Sequence, residues 1–194
     1  MRGLAAAAVL VMAACAGQDA DDTAAGDAAV DSTPAVVERA GTTGAAGDTI
    51  AVDFIDREGA NAGGARLVRV DGGIEIAVRV TGLTLGEHGF HVHQVGECAA
   101  PGFESAGAHF SPEPKQHGLQ NPQGPHAGDL PNLRADAGGV ADTIFTVDRM
   151  AFGGASSLTQ PNGLALVVHA DADDYRTDPS GNAGDRVACG VIPR

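Results

Sequence analysis

The sequence predicts an all-β domain, an antiparallel sandwich or flattened barrel with Greek-key connections, and three observations predict it. Gly supplies 28 and Pro 10 of the 194 residues, a density of turn formers that a helical bundle does not carry. Apolar residues recur at every second position in several short runs. Turn signals separate those runs into seven or eight short strands, the number and spacing that sandwiches and Greek-key barrels show.

The chain begins with processing signals rather than fold. Met1 and Arg2 form a minimal basic start, and residues 4–14 form an apolar run of secretory length that ends in small residues. Residues 1–14 are therefore expected to be a signal peptide, and the chain to be exported. The run Val11-Met12-Ala13-Ala14-Cys15 resembles a bacterial lipoprotein cleavage site, at which Cys15 becomes the lipidated first residue. Met12 stands where such signals usually carry Leu, so ordinary cleavage after Ala14 is the alternative. Residues 15–48 are Ala, Gly, Thr and Asp with scattered Pro, and Asp19, Asp21, Asp22, Asp27, Asp31, Glu38 and Asp48 face a single base, Arg39. So little large apolar surface cannot offset ordering entropy, which predicts a flexible acidic linker.

The folded domain is expected over residues 49–194. Ile50, Val52 and Phe54 alternate with polar or small residues, as do Ile74, Ile76, Val78 and Val80, where Glu75 and Arg79 face the other way; residues 65–70 supply a strand between them. Asp71-Gly72-Gly73 suits a tight hairpin turn because glycine accepts positive φ. Further strands are expected over residues 89–95, 140–147, 164–169 and 186–191. Residues 96–139 and 170–184 have no sustained period. Irregular stretches of such length are uncommon in compact domains unless they bind something.

Charge and cysteine usage narrow the function. Twelve basic against 25 acidic residues give a net charge of −13, which excludes a phosphate-backbone binder, so no nucleic-acid partner is expected. No run approaches the roughly 18 apolar residues of a membrane-spanning helix. If Cys15 carries lipid, Cys98 and Cys189 are free to form a disulfide in an oxidising compartment; two buried thiols are the alternative. A bridge closing so large a loop is worth roughly 4–5 kcal/mol at most by the chain-entropy argument.

The chemistry is concentrated in histidine. All seven histidines lie between His88 and His169. His91 and His93 are two apart on a strand, which points both imidazoles to one face and Phe90 and Val92 to the other. Taken alone, such a pair is as well explained by a solvated sheet face. His109, His117, His126 and Asp129 follow within the long irregular stretch and form the donor set that a tetrahedral zinc site uses. Metal coordination would give that stretch the order its few apolar residues do not. His169 ends the apolar run of residues 164–168 and, by itself, could equally be a hydrogen-bonded strand terminus. His91, His93, His109, His117, His126, His169 and Asp129 exceed one four-coordinate site and fill two if one side chain is shared, which a doubly deprotonated imidazole can be. Composition does not say which histidine bridges. Imidazole-rich ligation without thiolate suits copper or zinc.

Five segments, HGFHVHQVGEC at 88–98, SAGAHFSP at 105–112, KQHG at 115–118, HAGDLPN at 126–132 and LVVHADADDYRTDPSGNAGDRVACGVI at 166–192, resemble the copper/zinc superoxide dismutase family, particularly its bacterial exported branch. They match in order, spacing and identity, and the likeness runs from about Thr49 to the C-terminus. The resemblance implies an eight-stranded Greek-key flattened barrel, immunoglobulin-like in plan, with long metal-binding loops. It implies copper held by His91, His93, His109 and His169, and zinc held by His109, His117, His126 and Asp129, so that His109 is the bridge. It further implies a Cys98–Cys189 disulfide, Arg186 as the guide for superoxide, Asp173 linking His91 to His117 from behind, and His88 as a non-ligand beside the site. The implied activity is disproportionation of superoxide to dioxygen and hydrogen peroxide, by a monomer or homodimer in the periplasm or cell envelope. A copper-handling module on the same barrel is the competing class, which a missing ligand or a missing Arg186 would favour; neither is missing.

Overall fold

The computed structural model describes residues 48–194. The expected signal peptide, Cys15 and the expected linker up to residue 47 lie outside the described residues. The elements below lie within the compact unit Thr42–Arg194.

Among the described residues nine strands follow in order: β1 (Thr49–Asp56), β2 (Asn61–Val70), β3 (Gly73–Val80), β4 (Gly86–His88), β5 (Phe90–His93), β6 (Leu133–Ala135), β7 (Ala141–Val147), β8 (Leu164–His169) and β9 (Arg186–Ile192). They form one antiparallel sheet in the order β4-β6-β7-β3-β2-β1-β9-β8-β5. Its two edge strands, β4 and β5, are consecutive in the chain with only Gly89 between them. The sheet therefore curls until its edges meet at that residue, giving a nearly closed barrel. Counted as two halves of one strand interrupted at Gly89, β4 and β5 bring the total to eight, the expected barrel. The β3-to-β4 connection passes over β7 and β6, which is the Greek-key crossing.

Most strands coincide with the alternating runs. β2 and β3 pair from Gly63↔Val80 to Val70↔Gly73 across the Asp71-Gly72 turn. β2 starts four residues before the expected Ala65, because Asn61–Gly64 carries no large side chains to show a period yet is paired with β1 and β3 on its two sides. The alternation in β3 puts Ile74, Ile76, Val78 and Val80 inside, packed with Val52, Phe54, Leu67, Phe90, Val92, Leu164, Leu166 and Ile192 in one core. β4 and β6, three residues each, were not expected, since a run so short shows no period. β8 is buried along its whole length. Its second face, Ala165 and Val167, lies under Phe103, Ala106, Cys98 and Cys189. Cys98 and Cys189 are disulfide-bonded with Cα atoms 5.7 Å apart. This bridge staples the loop after β5 to β9 and closes that second cluster.

The irregular stretch from residue 94 onward is ordered by the free edge of β5. Val92 N–H donates to Gly128 O (2.8 Å), Phe110 N–H to Val92 O (2.8 Å) and Gln94 N–H to Ala108 O (2.9 Å). An open sheet edge is thereby covered by the segment that carries the next three histidines. Gly128 is required there: a Cβ would collide with Val92 O.

Candidate metal centre

The two sets of side chains arrive from different elements. β5 projects His91 and His93, β8 ends in His169, and the loop laid along the β5 edge supplies His109, His117, His126 and Asp129. His93 lies opposite His109 and His91 opposite Asp129 in isolated bridges, so backbone pairing sets the spacing of the two sets. Ligand atoms of His91, His93, His109 and His169 lie within 4.8 Å of one another, and so do those of His109, His117, His126 and Asp129. His109 belongs to both. All seven side chains are buried, His91, His117 and Asp129 completely.

In the first set each ring has one nitrogen engaged and one free. His91 Nε2 lies 2.9 Å from Asp173 Oδ2, His93 Nδ1 2.9 Å from Gly107 O, His109 Nδ1 3.1 Å from Asp129 Oδ1 and His169 Nδ1 3.2 Å from Gly184 O. The opposite nitrogens, His91 Nδ1, His93 Nε2, His109 Nε2 and His169 Nε2, are buried without any hydrogen-bond partner. Buried polar atoms are almost always satisfied. Four orphans converging on one point are what a cation-binding site looks like, with the second nitrogen of each ring fixing its tautomer and direction.

The second set converges differently. Nδ1 of His109, His117 and His126 lies 3.1, 3.0 and 3.2 Å from the same oxygen, Asp129 Oδ1. Zinc bonds of about 2.0–2.1 Å imply a tetrahedron edge of about 3.3 Å, so this spacing fits such an ion with small adjustment. Asp129 Oδ2 accepts from Gly118 N–H (2.8 Å) and His126 N–H (2.9 Å), which holds the carboxylate. The donor set of both clusters thus fits copper and zinc.

Asp173 joins the two sets from behind. Its Oδ2 meets His91 Nε2, and its Oδ1 meets His117 Nε2 at 3.0 Å. A Cβ at Gly181, whose φ is +66°, would overlap this carboxylate. Asn132 fixes the Asp173 backbone in both directions: its Nδ2 donates to Asp173 O (2.9 Å), and its Oδ1 accepts from Asp173 N–H (3.0 Å). The Tyr175 hydroxyl accepts from Asn132 N–H (2.7 Å). Arg149 Nη2 donates to Asp129 O at 2.6 Å. None of Asn132, Tyr175, Arg149 and Gly181 was singled out from the sequence; the DLPN and GNAG segments contain two of them, but nothing local marks their partners. His88, between Thr84 O (2.9 Å from Nε2) and His169 O (2.7 Å from Nδ1), packs beside the site without belonging to either set. Asp174 caps the turn at residues 176–177, and Asp171 is exposed.

Arg186 opens β9 directly opposite His169. Its Nη1 and Nη2 donate to Phe103 O and Gly107 O, both at 2.6 Å, so the half-buried guanidinium is fixed by the loop that the disulfide staples. The same Gly107 carbonyl meets His93 Nδ1.

Without metal, the charges balance unevenly. Burial pushes His91 and His93 below their ordinary pKa, and brings His109 down to about 4 and His169 to about 3. Burial also opposes charge on His117, but the carboxylates of Asp129 and Asp173 outweigh it and raise the ring to about 9. Asp129 is buried too, yet hydrogen bonds from His109, His117 and His126 hold it well below the usual carboxylate range. The signs give a pH profile. His91, His93, His109 and His169 bind more protons unfolded than folded, so their contribution is complete above the unfolded pKa of 6.5 and is lost as pH falls, for His109 through about 4 and for His169 through about 3. His117 stabilises fully below 6.5, and its contribution is lost as pH rises through about 9. The melting temperature of the metal-free protein should therefore peak near pH 6.5, with the steeper decline on the acid side where four rings act together. A profile that keeps rising from neutral pH to pH 9 would contradict this.

The barrel and its two abutting donor sets, which share His109, define a β-barrel protein able to hold metal ions. The chain belongs to the copper/zinc superoxide dismutase family, whose model, described as copper/zinc superoxide dismutase, matches residues 61–192. It is 42% identical over 146 residues to a Cu-Zn superoxide dismutase of Aquifex aeolicus (strain VF5), covering 72% of this chain and 85% of that protein. The crystal structure of a SOD-like protein from Bacillus subtilis superposes with a TM-score of 0.72 at 39% identity, covering 74% of this chain and 97% of that one. The Cu/Zn superoxide dismutase from Brucella abortus superposes with a TM-score of 0.62 at 29% identity, over 75% of this chain and 100% of that one.

Proposed function

We propose that this protein disproportionates superoxide to dioxygen and hydrogen peroxide, with copper held by His91, His93, His109 and His169 and zinc held by His109, His117, His126 and Asp129. The observation that carries the reading is the set of four orphaned imidazole nitrogens, one of them on the ring whose other nitrogen faces Asp129. Copper in the first set supplies one-electron redox chemistry, and zinc in the second supplies a fixed positive charge.

The chain's own residues do the rest. Arg186, fixed through Phe103 O and Gly107 O, offers its remaining guanidinium hydrogens to a small anion beside the His91–His169 set. The negative net charge does not oppose this, because seven of the acidic residues lie in the segment 15–48 and the local field is set by Arg186 and the bound cations. With zinc at Nδ1, His109 would be able to carry a proton at Nε2 when that nitrogen is uncoordinated; without metal its Nδ1–H is directed to Asp129 Oδ1. Asp173 keeps His91 and His117 in fixed orientations throughout. Asp173→Asn removes the acceptor of one of these rings and should lower zinc or copper retention by about 10- to 100-fold, read by chelator competition.

The test is superoxide disproportionation by the protein reconstituted with copper and zinc, with and without cyanide. Cyanide-sensitive activity far above that of free copper supports the reading. Folded, fully metallated protein without activity moves it to copper handling.

The same reading places the enzyme in the periplasm or cell envelope, exported by residues 1–14 and anchored through lipidated Cys15, with residues 15–48 as the spacer, the barrel as residues 49–194, and a monomer or homodimer as the working unit. What supports it is the apolar run ending before Cys15. Cys15→Ser should release the protein from membranes with activity unchanged, and unaltered detergent partitioning of that variant would sink the anchor.

A further inference from the structure

Beside the His126 segment, a cavity of about 240 Å³ opens between the loop that follows His109 and the β7–β8 connection, lined by Pro112, Glu113, Lys115, Pro125, Arg149 and Ser156 among others. We propose that it is a binding site for a small phosphate-class oxyanion, either free phosphate or a phosphate monoester.

Its cations are unusual for this chain. Lys115 is the only lysine in the sequence. The lysine and arginine ion pairs among the described residues involve Arg57, Arg69, Arg79, Arg134 and Arg149, never Lys115. Arg149 is already oriented: Nη2 is committed to Asp129 O, and Nε is buried without a partner. Nη1 faces only Asp148 at 3.6 Å, a carboxylate 79% exposed to solvent, and such a pair is weak. An anion arriving in the cavity therefore meets a guanidinium whose direction costs nothing further to fix.

The rest of the lining selects among anions. Lys115, Arg149 and Ser156 come from three separate segments of the lining and are donors for a tetrahedral ion. Glu113 is an acceptor in the same cavity. A fully ionised anion such as sulfate is repelled by that carboxylate. A monoprotonated phosphate instead donates its P–OH to it, so one carboxylate among two cations distinguishes the two ions. Proline walls at 112 and 125 keep the lining rigid. The volume lies below that of drug-sized pockets but exceeds the roughly 30 Å³ of a single water, leaving room for a phosphate and a small organic substituent.

The single lysine makes the test direct and independent of dismutase activity. The full protein is acylated with acetic anhydride at about pH 6, where inorganic phosphate keeps a P–OH and a monoester is about half monoprotonated, and the Lys115 peptide is quantified by mass spectrometry against an internal peptide standard. Inorganic phosphate should slow Lys115 acylation saturably, about tenfold at ten times its Kd by mass action. Sulfate at matched ionic strength should protect far less, and comparing glycerol phosphate with phosphate tells which source the cavity prefers. Glu113→Gln should erase the preference for phosphate over sulfate, and Ser156→Ala should weaken phosphate; both are surface changes that leave the fold in place. Lys115 acylation indifferent to phosphate, equally slowed by sulfate, or protected alike in both variants would overturn the site.

Discussion

His109→Ala should empty both metal positions at once. Every other ligand serves one set, whereas His109 offers Nε2 to the His91, His93 and His169 group and Nδ1 to the Asp129 group. Its loss leaves three donors on each side. It also removes the ring that closes the space between the sets, where its centroid lies 4.0 Å from that of His91 and 5.1 Å from that of His117. Elemental analysis of the variant loaded with copper and zinc should show both well below one per chain. Disproportionation should fall by more than about 100-fold, the upper end of what losing a mere outer partner of a ligand costs. The comparison variant is Arg186→Ala, which touches neither set and should retain both metals while losing activity on the order of the 100-fold that one oriented anion donor is worth. Full copper and zinc in the His109 variant would reject the shared-ligand arrangement.

Removing the disulfide should have the largest effect on stability. Cys98 and Cys189 are 91 residues apart, so the bridge constrains most of the barrel in the unfolded chain, and Cys189 is fully buried against Phe103 and Val167. The double variant Cys98→Ser and Cys189→Ser should lose about 2–5 kcal/mol, a fall of roughly 5–15 °C in melting temperature for a domain of this size. The effect should reach the site, because the stapled loop supplies the Phe103 and Gly107 carbonyls that hold Arg186. Calorimetry should show the drop in both metal-free and metal-loaded protein. A melting temperature within about 2 °C of the parent would mean that the second cluster packs without the bridge.

Much of the fold was legible because it rests on local period. β1, β3, β7, β8 and β9 lie where alternating or wholly apolar runs place them, since burial of one sheet face demands that pattern. β4 and β6 were not legible: strands of three residues owe their state to their partners, Gly86–His88 to Leu133–Ala135, not to their composition. The histidines and Asp129 were likewise legible as candidate donors, because only a few side-chain types can ligate a metal, and the structure gathers them into two sets.

What the sequence by itself determined is therefore the class of barrel, with the histidines and Asp129 as candidate donors and Cys98 and Cys189 as a candidate pair, since these depend on residue type. The tertiary structure decided which nitrogen of each ring is left free and which atoms orient it. Those choices join residues far apart in the chain: Asp173 reaches His91 across 82 positions and His117 across 56, and Asn132 reaches Asp173 across 41. It also decided that Lys115 and Arg149 line one cavity. No pattern within a strand or loop encodes such meetings, because they arise only when the sheet has curled its β4 and β5 edges together and laid the histidine-bearing loop along β5.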